Sequence, residues 1–389
     1  MYMKRSFLKV MLVVFALVIS CKKNNEVIIV KDTQEESVVE ENVGGENAGE
    51  NVGENTGETV EENVGENTGE TTGENAGETT GENGVTTVVQ EYGALSVLGN
   101  KIVDKNNNPV QLRGMSLFWS QWMGQYYNKQ AVEWLKEDWN VTVVRAAMGV
   151  DEGTDGYIYK PEVEKQKVFE VIDGAIEAGI YVIVDWHSHH AENFEAEAKA
   201  FFAEVAQKYG DSPNIIYEIY NEPLNVSWDN VLKPYHEAVI AEIRKYDTKN
   251  IIICGTRLWS QRVDEVVGNP IQGDNIAYTL HYYSSTHKQE LRNIAKLAID
   301  ADLCLFVTEF GVTEASGNGV INVAEANAWW SFLDQHKISW CNWSIADKAE
   351  ASASLVPGSS GFGGWTEGQL TTSGKMVRTE IKEKNQDYN

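Results

Sequence analysis

Cysteine is scarce in this sequence, and its placement excludes two kinds of protein. Only four of the 389 residues are cysteine: Cys254, Cys304 and Cys341 lie inside apolar segments, and Cys21 follows an apolar run near the N-terminus. Three cysteines without loop spacing do not make a disulfide framework, and no His/Cys spacing matches a zinc site. The sequence therefore predicts buried free thiols, no bound metal and no cofactor.

Positively charged residues are also few. The chain has 32 lysine and arginine residues against 58 aspartate and glutamate residues, which gives a formal net charge of -26. This acidity argues against nucleic acid and against an anionic membrane surface as partners. It is compatible with an uncharged polymer as the ligand, and equally with a charge that only keeps an exported protein soluble.

The apolar run near the N-terminus, Met11–Ile19, is too short to span a bilayer as a mature helix. A short basic segment precedes it, which is typical of an export signal. Ser20 and Cys21 follow, and a cysteine in this position resembles the cleavage site of bacterial lipoproteins. That resemblance implies a signal peptide over residues 1–20 and a lipid on Cys21. The protein would be exported to the cell envelope or cell surface and would contact the membrane only through this lipid. The alternative is an ordinary signal peptide with a chance cysteine.

A low-complexity segment follows. From Val43 to Asn83 a unit close to GENxGET repeats, with almost no large apolar side chain. Such a segment cannot bury enough surface to offset the entropy lost on ordering, so we expect residues 21–90 to form a disordered acidic linker. Calcium-binding repeats are a weaker alternative, because the acidic residues lack the Gly-Asp spacing of known motifs. This leaves residues 91–389 for one catalytic domain.

Short apolar runs alternate with amphipathic stretches from about Tyr92 onward. The predicted strands are Val110–Leu117, Val141–Met148, Tyr181–His187, Ile215–Glu222, Ile251–Thr256, Ile276–Tyr283, Cys304–Gly311 and Ile338–Ile345. The predicted helices are Ala131–Trp139, Glu162–Ala178, Ala196–Tyr209, Leu232–Tyr246, Gln289–Ala301, Ala324–His336 and Lys375–Lys384. The strand candidates are nearly continuous in apolar residues, as buried parallel strands are. The alternation predicts an α/β protein with a (β/α)8 TIM barrel.

Polar and aromatic residues collect where the predicted strands end, and in such a barrel the reaction site lies at these ends. Among them are Glu222 at the end of the fourth strand and Glu309 on the seventh. Glycoside hydrolysis requires one carboxylic acid to protonate the leaving oxygen and a second carboxylate to attack the sugar or activate water. A separation of about 5–5.5 Å predicts retention of configuration, and about 6.5–9.5 Å predicts inversion. The sequence leaves this separation open.

Several stretches between Gln111 and Lys384 resemble glycoside hydrolase family 5, in the branch of bacterial endo-β-1,4-glucanases (cellulases). They are LRGMS (112–116), VTVVRAAM (141–148), YVIVDWH (181–187), PNIIYEIYNEP (213–223), TLHYY (279–283), FVTEFG (306–311), WCNWS (340–344) and GGWTE (363–367). The resemblance implies a retaining enzyme that cleaves internal bonds of a β-1,4-glucan, acts as a monomer and needs no cofactor.

The same resemblance implies roles for individual residues. Glu222 corresponds to the acid/base and Glu309 to the nucleophile. The residues implied around the cleaved sugar are Arg145, His187, Asn221, His281, Tyr283 and Trp343. Residues implied to bind sugars further along the chain are Trp122, Trp259, Lys348 and Glu350. We expect the second carboxylate to raise the pKa of Glu222, so that it begins protonated.

One position departs from the family pattern. Phe118 stands where the branch often has a histidine, which puts one upstream sugar contact in doubt. The HSHH run at 187–190 is not expected to bind a metal. Two alternatives remain open: an enzyme acting on another β-glycan, such as mannan, xyloglucan or mixed-linkage glucan, and a non-catalytic glycan-binding lipoprotein.

Overall fold

Eight parallel strands form the centre of the computed structural model, which describes residues 86–385. They are β1 (Arg113–Leu117), β2 (Val143–Gly149), β3 (Tyr181–His187), β4 (Ile215–Glu218), β5 (Ile252–Cys254), β6 (Ile276–Thr279), β7 (Leu305–Gly311) and β8 (Ser339–Ile345). Each strand pairs with the next, and β8 pairs with both β7 and β1. The sheet is therefore closed, and the predicted (β/α)8 barrel is confirmed.

Helices surround this barrel at the predicted places. Within residues 86–385 the long helices are α1 (Lys129–Trp139), α2 (Pro161–Ala178), α3 (Glu195–Tyr209), α4 (Lys233–Ile243), α5 (Gln289–Asp300), α6 (Val323–His336) and α7 (Thr372–Lys384). Local chemistry sets several ends: the Asn128 side chain caps the start of α1, and Gly179, at φ 68°, ends α2. The link between β5 and β6 contains only two short helical segments, Arg257–Ser260 and Val263–Val266.

The barrel strands are buried on both faces, because helices cover the outside and side chains fill the inside. Every residue of β2, β3, β7 and β8 is buried. Charged side chains nevertheless lie inside: Arg145, Asp185 and Glu218 have no exposed surface. Since isolated buried charges are costly, these three residues must be paired with one another or with the reaction site.

Two predicted strands end earlier than expected, and both differences shape the mouth of the barrel. The fourth regular strand stops at Glu218, so the chain turns before it reaches Glu222. The sixth is interrupted after Thr279; residues Tyr282–Tyr283 resume pairing with β7 alone. His281 lies in this interruption, where its side chain is free to face the mouth instead of following the pleat.

The opposite end of the barrel is covered by the N-terminal part of the domain. A short helix, Val88–Tyr92, packs Val88 into the core. A hairpin of Ser96–Leu98 and Lys101–Val103 follows and is joined to the start of β6 by a hydrogen bond from Val97 N to Asn275 Oδ1 of 2.8 Å.

Some sequence-based predictions concern residues outside 86–385. The signal peptide, Cys21 and most of the acidic linker lie outside the described residues. Between residues 86 and 385, no helix has the length and apolar character needed to cross a membrane. Cys254, Cys304 and Cys341 are buried and unpaired, which confirms the predicted free thiols.

Candidate active site

The two predicted catalytic glutamates meet at the C-terminal mouth of the barrel. Glu222 lies in the turn after β4, and Glu309 lies in β7 across the barrel. A carboxylate oxygen of Glu222, a carboxylate oxygen of Glu309 and a ring nitrogen of His281 all lie within 4.8 Å of one another. This spacing is near the value of about 5–5.5 Å at which one carboxylate attacks the sugar while the other transfers a proton.

Glu309 is held by two donors. Tyr283 donates its hydroxyl proton to Oε1 at 2.8 Å, and Arg145 donates to Oε2 at 3.1 Å. Burial and the neighbouring Glu222 raise the pKa of Glu309, whereas His281, Arg145 and the Tyr283 hydrogen bond oppose that rise. Burial raises the pKa of Tyr283 well above its usual value, so this phenol stays protonated as a donor. The two donors therefore orient the Glu309 carboxylate and stabilise its negative charge.

Arg145 is the centre of a buried ionic network. It donates to Glu218 at 2.7 Å and contacts Asp185 at 2.9 Å, in addition to Glu309. A further bond of 2.7 Å runs to Asn221 Oδ1. Burial alone would lower the pKa of Arg145, but the three surrounding carboxylates raise it well above its usual value. The guanidinium thus carries a permanent charge and fixes the positions of Glu309 and Asn221 together.

Two imidazoles flank the carboxylate of Glu222. His281 Nδ1 lies 2.9 Å from Oε1, and His189 Nε2 lies 3.2 Å from Oε2. Burial raises the pKa of Glu222, but hydrogen bonds from the two histidines outweigh burial and hold that pKa below its usual range. Burial lowers the pKa of each histidine, and the carboxylate contacts raise it to about 9.

The sequence-based expectation for Glu222 is therefore wrong in direction. We expected the second carboxylate to raise the pKa of Glu222, but the two imidazoles have the larger effect. The imidazoles of His189 and His281 are therefore protonated at neutral pH and lie within hydrogen-bond distance of Glu222.

Comparison with known proteins identifies the family to which this chain belongs. The family described as Cellulase (glycosyl hydrolase family 5) matches residues 103–349. The chain belongs to this family. Endoglucanase Z of Dickeya dadantii is 48% identical over 291 residues, which are 74% of this chain and 66% of that protein. This chain thus spans just under two thirds of that relative's length.

Solved structures of similar proteins have the same fold as this family 5 domain. One from Cytophaga hutchinsonii is 58% identical with a TM-score of 0.76, covering 77% of this chain and 98% of that chain. The catalytic domain of Thermobifida fusca endoglucanase Cel5A in complex with cellotetraose is 35% identical with a TM-score of 0.73, covering 76% of this chain and 99% of that chain.

The residues predicted around the cleaved sugar are brought together by the family 5 barrel. His187 donates from Nδ1 to Asp185 at 2.6 Å, and its ring stacks on Trp343 with an interplanar angle of 3°. Burial lowers the pKa of His187 well below its usual value, so this imidazole is neutral. Trp343 is 5% exposed and forms a flat apolar surface beside His187 and the hydrogen-bonded groups around the two glutamates.

Of the residues predicted to bind more distant sugars, two tryptophans lie open to solvent. Trp122 is 49% exposed beside Trp119, at a centroid distance of 5.1 Å. Trp259 is 46% exposed. Rings this exposed do not serve core packing, and they are suited to stack on the apolar faces of sugars.

Trp259 is presented by an unusual turn. Leu258, Trp259 and Ser260 all have left-handed backbone conformations, with φ of 56°, 55° and 56°. Hydrogen bonds from Trp259 N to Pro223 O at 2.9 Å and from Ser260 Oγ to Asn221 O at 2.7 Å tie this turn to the segment that carries Glu222. Left-handed non-glycine residues are costly and persist where the surrounding structure imposes them.

The remaining predicted residues, Lys348 and Glu350, contact one another at 2.5 Å. Lys348 also lies 5.0 Å from the ring centre of Phe118. Phe118, which we expected to depart from the family pattern, packs on Trp343 at a centroid distance of 5.1 Å. An apolar ring at this position extends the tryptophan surface and offers no hydrogen bond to a sugar hydroxyl.

Sequence reasoning missed four residues of this site: His189, Asp185, Glu218 and Thr308. Thr308 Oγ1 lies between His281 Nε2 at 2.9 Å and Glu218 Oε1 at 2.6 Å. Charged residues inside the apolar strand sequences were a usable signal, since a buried charge requires a partner. His189 carried no such signal, because its position in a loop does not reveal which way its side chain points.

The described residues contain a single group of three potential ligands whose atoms could converge on a metal ion: Glu222, His281 and Glu309. All three already form hydrogen bonds with neighbouring side chains of the active site. His189, the second histidine of the HSHH run, takes part in these hydrogen bonds through both ring nitrogens.

Proposed function

We propose that this family 5 protein is a retaining endo-β-1,4-glucanase that hydrolyses internal bonds of cellulose or related β-glucans. The observation that carries the proposal is the approach of Glu222 and Glu309 to within 4.8 Å at the mouth of the barrel. A glycan-binding protein without catalysis would need the exposed tryptophans, but not two opposed carboxylates with separate donor sets.

In the first step Glu309 attacks the anomeric carbon of the sugar above Trp343. The glycosidic C–O bond breaks as the ester bond to Glu309 forms, and the leaving oxygen takes the proton of Glu222. Arg145 and Tyr283 hold Glu309 in the orientation for attack. In the second step a water molecule gives a proton to Glu222 and attacks the same carbon. The ester bond breaks, Glu309 is restored as a carboxylate, and two inversions leave the configuration retained.

Asn221 supplies an additional donor for the sugar. Arg145 fixes its Oδ1, and its buried Nδ2 has no hydrogen-bond partner within residues 86–385. Buried donors without a partner are rare in proteins, and a bound sugar hydroxyl next to the cleaved bond would satisfy this one. A bond to the 2-hydroxyl strengthens as the oxocarbenium ion develops, so Asn221 favours the transition state over the bound substrate.

The substrate class follows from the open, aromatic character of the site and from the names of its relatives. Trp122 lies in the loop after β1 and Trp259 in the loop after β5, on opposite sides of the barrel, and both rings are exposed. This placement suits a long polymer with sugars on both sides of the cleaved bond. The Dickeya relative is an endoglucanase, and the Thermobifida domain was solved with cellotetraose. Mannan, xyloglucan and mixed-linkage glucan remain alternative substrates, because loops set specificity in this fold.

The test is reducing-sugar release from carboxymethylcellulose, with mannan, xyloglucan and mixed-linkage glucan in parallel. We expect the largest rate on the β-1,4-glucan, a loss of more than about 1,000-fold in Glu309→Gln, and no change in the matched control Glu314→Gln, an exposed glutamate nearby. Early products examined by NMR should keep the β configuration. Inverted products, or full activity in Glu309→Gln, would refute the mechanism; a higher rate on mannan would reassign the substrate.

The cellular location is a separate part of the proposal. The short apolar run and Cys21 support an exported lipoprotein whose acidic segment separates a monomeric catalytic domain from the membrane. Metabolic labelling with a fatty acid should mark the wild type and not Cys21→Ala, and the variant should leave the membrane fraction. Equal labelling of both proteins would rule out the lipid on Cys21.

A further inference from the structure

His189 has three contacts that join it to the neighbouring loops of the active site. Its Nε2 lies 3.2 Å from Glu222 Oε2, and its Nδ1 lies 3.2 Å from Glu152 Oε1, in the loop after β2. Its ring centre lies 5.7 Å from that of Trp119, in the loop after β1. Its imidazole therefore bridges the carboxylate of Glu222 and a second carboxylate outside the reaction centre.

The backbone around His189 is bonded to the same segment as Glu222. The carbonyl of Ser188 accepts the backbone N–H of Glu222 at 3.2 Å, and the carbonyl of His189 accepts the hydroxyl of Tyr220 at 2.9 Å. The Ser188 hydroxyl also donates to Asp151 at 2.6 Å, which ties this loop to the loop of Glu152. These bonds hold the loop of His189 in place relative to the segment of Glu222 and the loop of Glu152.

We propose that His189, oriented by Glu152, is a positioning residue that returns a proton to Glu222 and extends the activity toward alkaline pH. This inference rests on the proposed role of Glu222 as the acid. The step is a transfer within one hydrogen bond: Nε2 of the imidazolium gives its proton to Oε2 of Glu222, which passes it to the leaving oxygen. In the second half of the reaction Glu222 takes a proton from water and can return it to His189.

The charges around His189 support this direction. It faces two carboxylates, Glu152 and Glu222, while the titratable group at the end of the preceding strand, His187, is neutral. Burial lowers the pKa of His189, but these carboxylates raise it to about 9. The imidazolium is therefore present as a proton source up to about that pH. His281 lies on the other side of Glu222, has its own contacts to Thr308 and Glu218, and is unchanged in the test below.

The experiment compares pH profiles of kcat/KM for four full-length proteins: wild type, His189→Gln, Glu152→Gln and the matched control His190→Gln. Glutamine keeps an N–H donor near the position of Nε2 but cannot give up a proton. We expect His189→Gln to move the alkaline limb on a cello-oligosaccharide to lower pH by about one unit. Glu152→Gln should move it in the same direction by less, because loss of the anion lowers the pKa of His189. His190→Gln should not move it.

A second substrate separates proton supply from folding. A dinitrophenyl β-cellobioside has a leaving group that needs no proton, so the alkaline limb in His189→Gln should match that of the wild type on this substrate. An unshifted limb on the oligosaccharide, or an equal loss on both substrates at every pH, would overturn the inference. Should His189→Gln fold poorly, Glu152→Gln decides, since its side chain is 39% exposed. A wild type that cleaves neither substrate would instead overturn the proposed function.

Discussion

Replacing the buried Arg145 by methionine tests the network at the centre of the barrel. Methionine has a similar length and is apolar, so it removes the charge while filling much of the volume. Arg145 has no exposed surface and is bonded to Asp185, Glu218 and Glu309. Its loss leaves three buried carboxylates without their cation.

The magnitude follows from the cost of an uncompensated buried charge. Breaking a buried ion pair by removing one partner costs about 3–5 kcal/mol of stability at neutral pH. For a domain of this size that corresponds to a decrease in Tm of about 6–10 °C. The matched control is Arg378→Met, which removes a partly exposed pair with Asp138 at 2.8 Å. Because solvent screens that pair, its loss should cost no more than about 1 kcal/mol.

The pH dependence gives the prediction its sign. In the wild type, burial raises the pKa of Glu218, but Arg145 and His281 hold it below the usual value. The stability that Glu218 contributes is thus present at neutral pH and is lost as the pH falls through that lowered pKa. In Arg145→Met the folded-state pKa of Glu218 rises because its cation is gone, and the pKa values of Asp185 and Glu309, which burial already raises in the wild type, rise further. Protonation of these carboxylates removes their uncompensated charge. The loss of stability of the variant relative to the wild type therefore becomes smaller as the pH falls from 8 to 5.

Thermal unfolding followed by circular dichroism at pH 8 and pH 5 measures both effects. A Tm within about 2 °C of the wild type at pH 8 would contradict the assigned network. A deficit that grows at pH 5 would contradict the assigned sign.

Two further predictions concern single contacts. Tyr283→Phe removes the hydroxyl that donates to Glu309 at 2.8 Å and should lower kcat/KM by about 10- to 100-fold. The control is Tyr282→Phe, which should leave kcat/KM unchanged because the buried Tyr282 hydroxyl has no partner between residues 86 and 385. Equal rates in both variants would argue against the Tyr283 contact. Gly114→Ala would place a Cβ 1.7 Å from the carbonyl oxygen of Val143 and should cost more than about 4 kcal/mol in thermal unfolding. Its control, Gly268→Ala, meets no atom within 4 Å, so similar Tm values for the two would disprove the close approach of β1 and β2.

The architecture could be predicted because it depends on patterns along the chain. Parallel strands buried on two faces appear as continuous apolar runs, and the helices between them show apolar residues at three-to-four spacing. The capping residues Asn128 and Gly179 also act locally. The largest boundary errors fell at β4 and β6, where the chain leaves the sheet to turn Glu222 and His281 into the mouth. Those departures depend on contacts between strands, which have no periodic signature.

The proton network could not be predicted in the same way. The free energy of a charge depends on every polar group within a few ångströms, and those groups come from different strands and loops. Glu222 illustrates this dependence: a nearby carboxylate alone suggested a raised pKa, whereas two imidazoles lower it. The link from Glu152 through His189 to Glu222 joins three loops, and no spacing within any one of them indicates it.

The amino-acid sequence by itself determined the barrel, the order of its strands and the placement of Glu222 and Glu309 at strand ends, because hydrophobic periodicity and strand order are properties of the chain. Only the tertiary structure decided how close these carboxylates lie, which donors each receives and which groups share the proton. These features depend on side-chain directions and on distances of a few ångströms between segments far apart in sequence, and electrostatic energies change steeply over such distances.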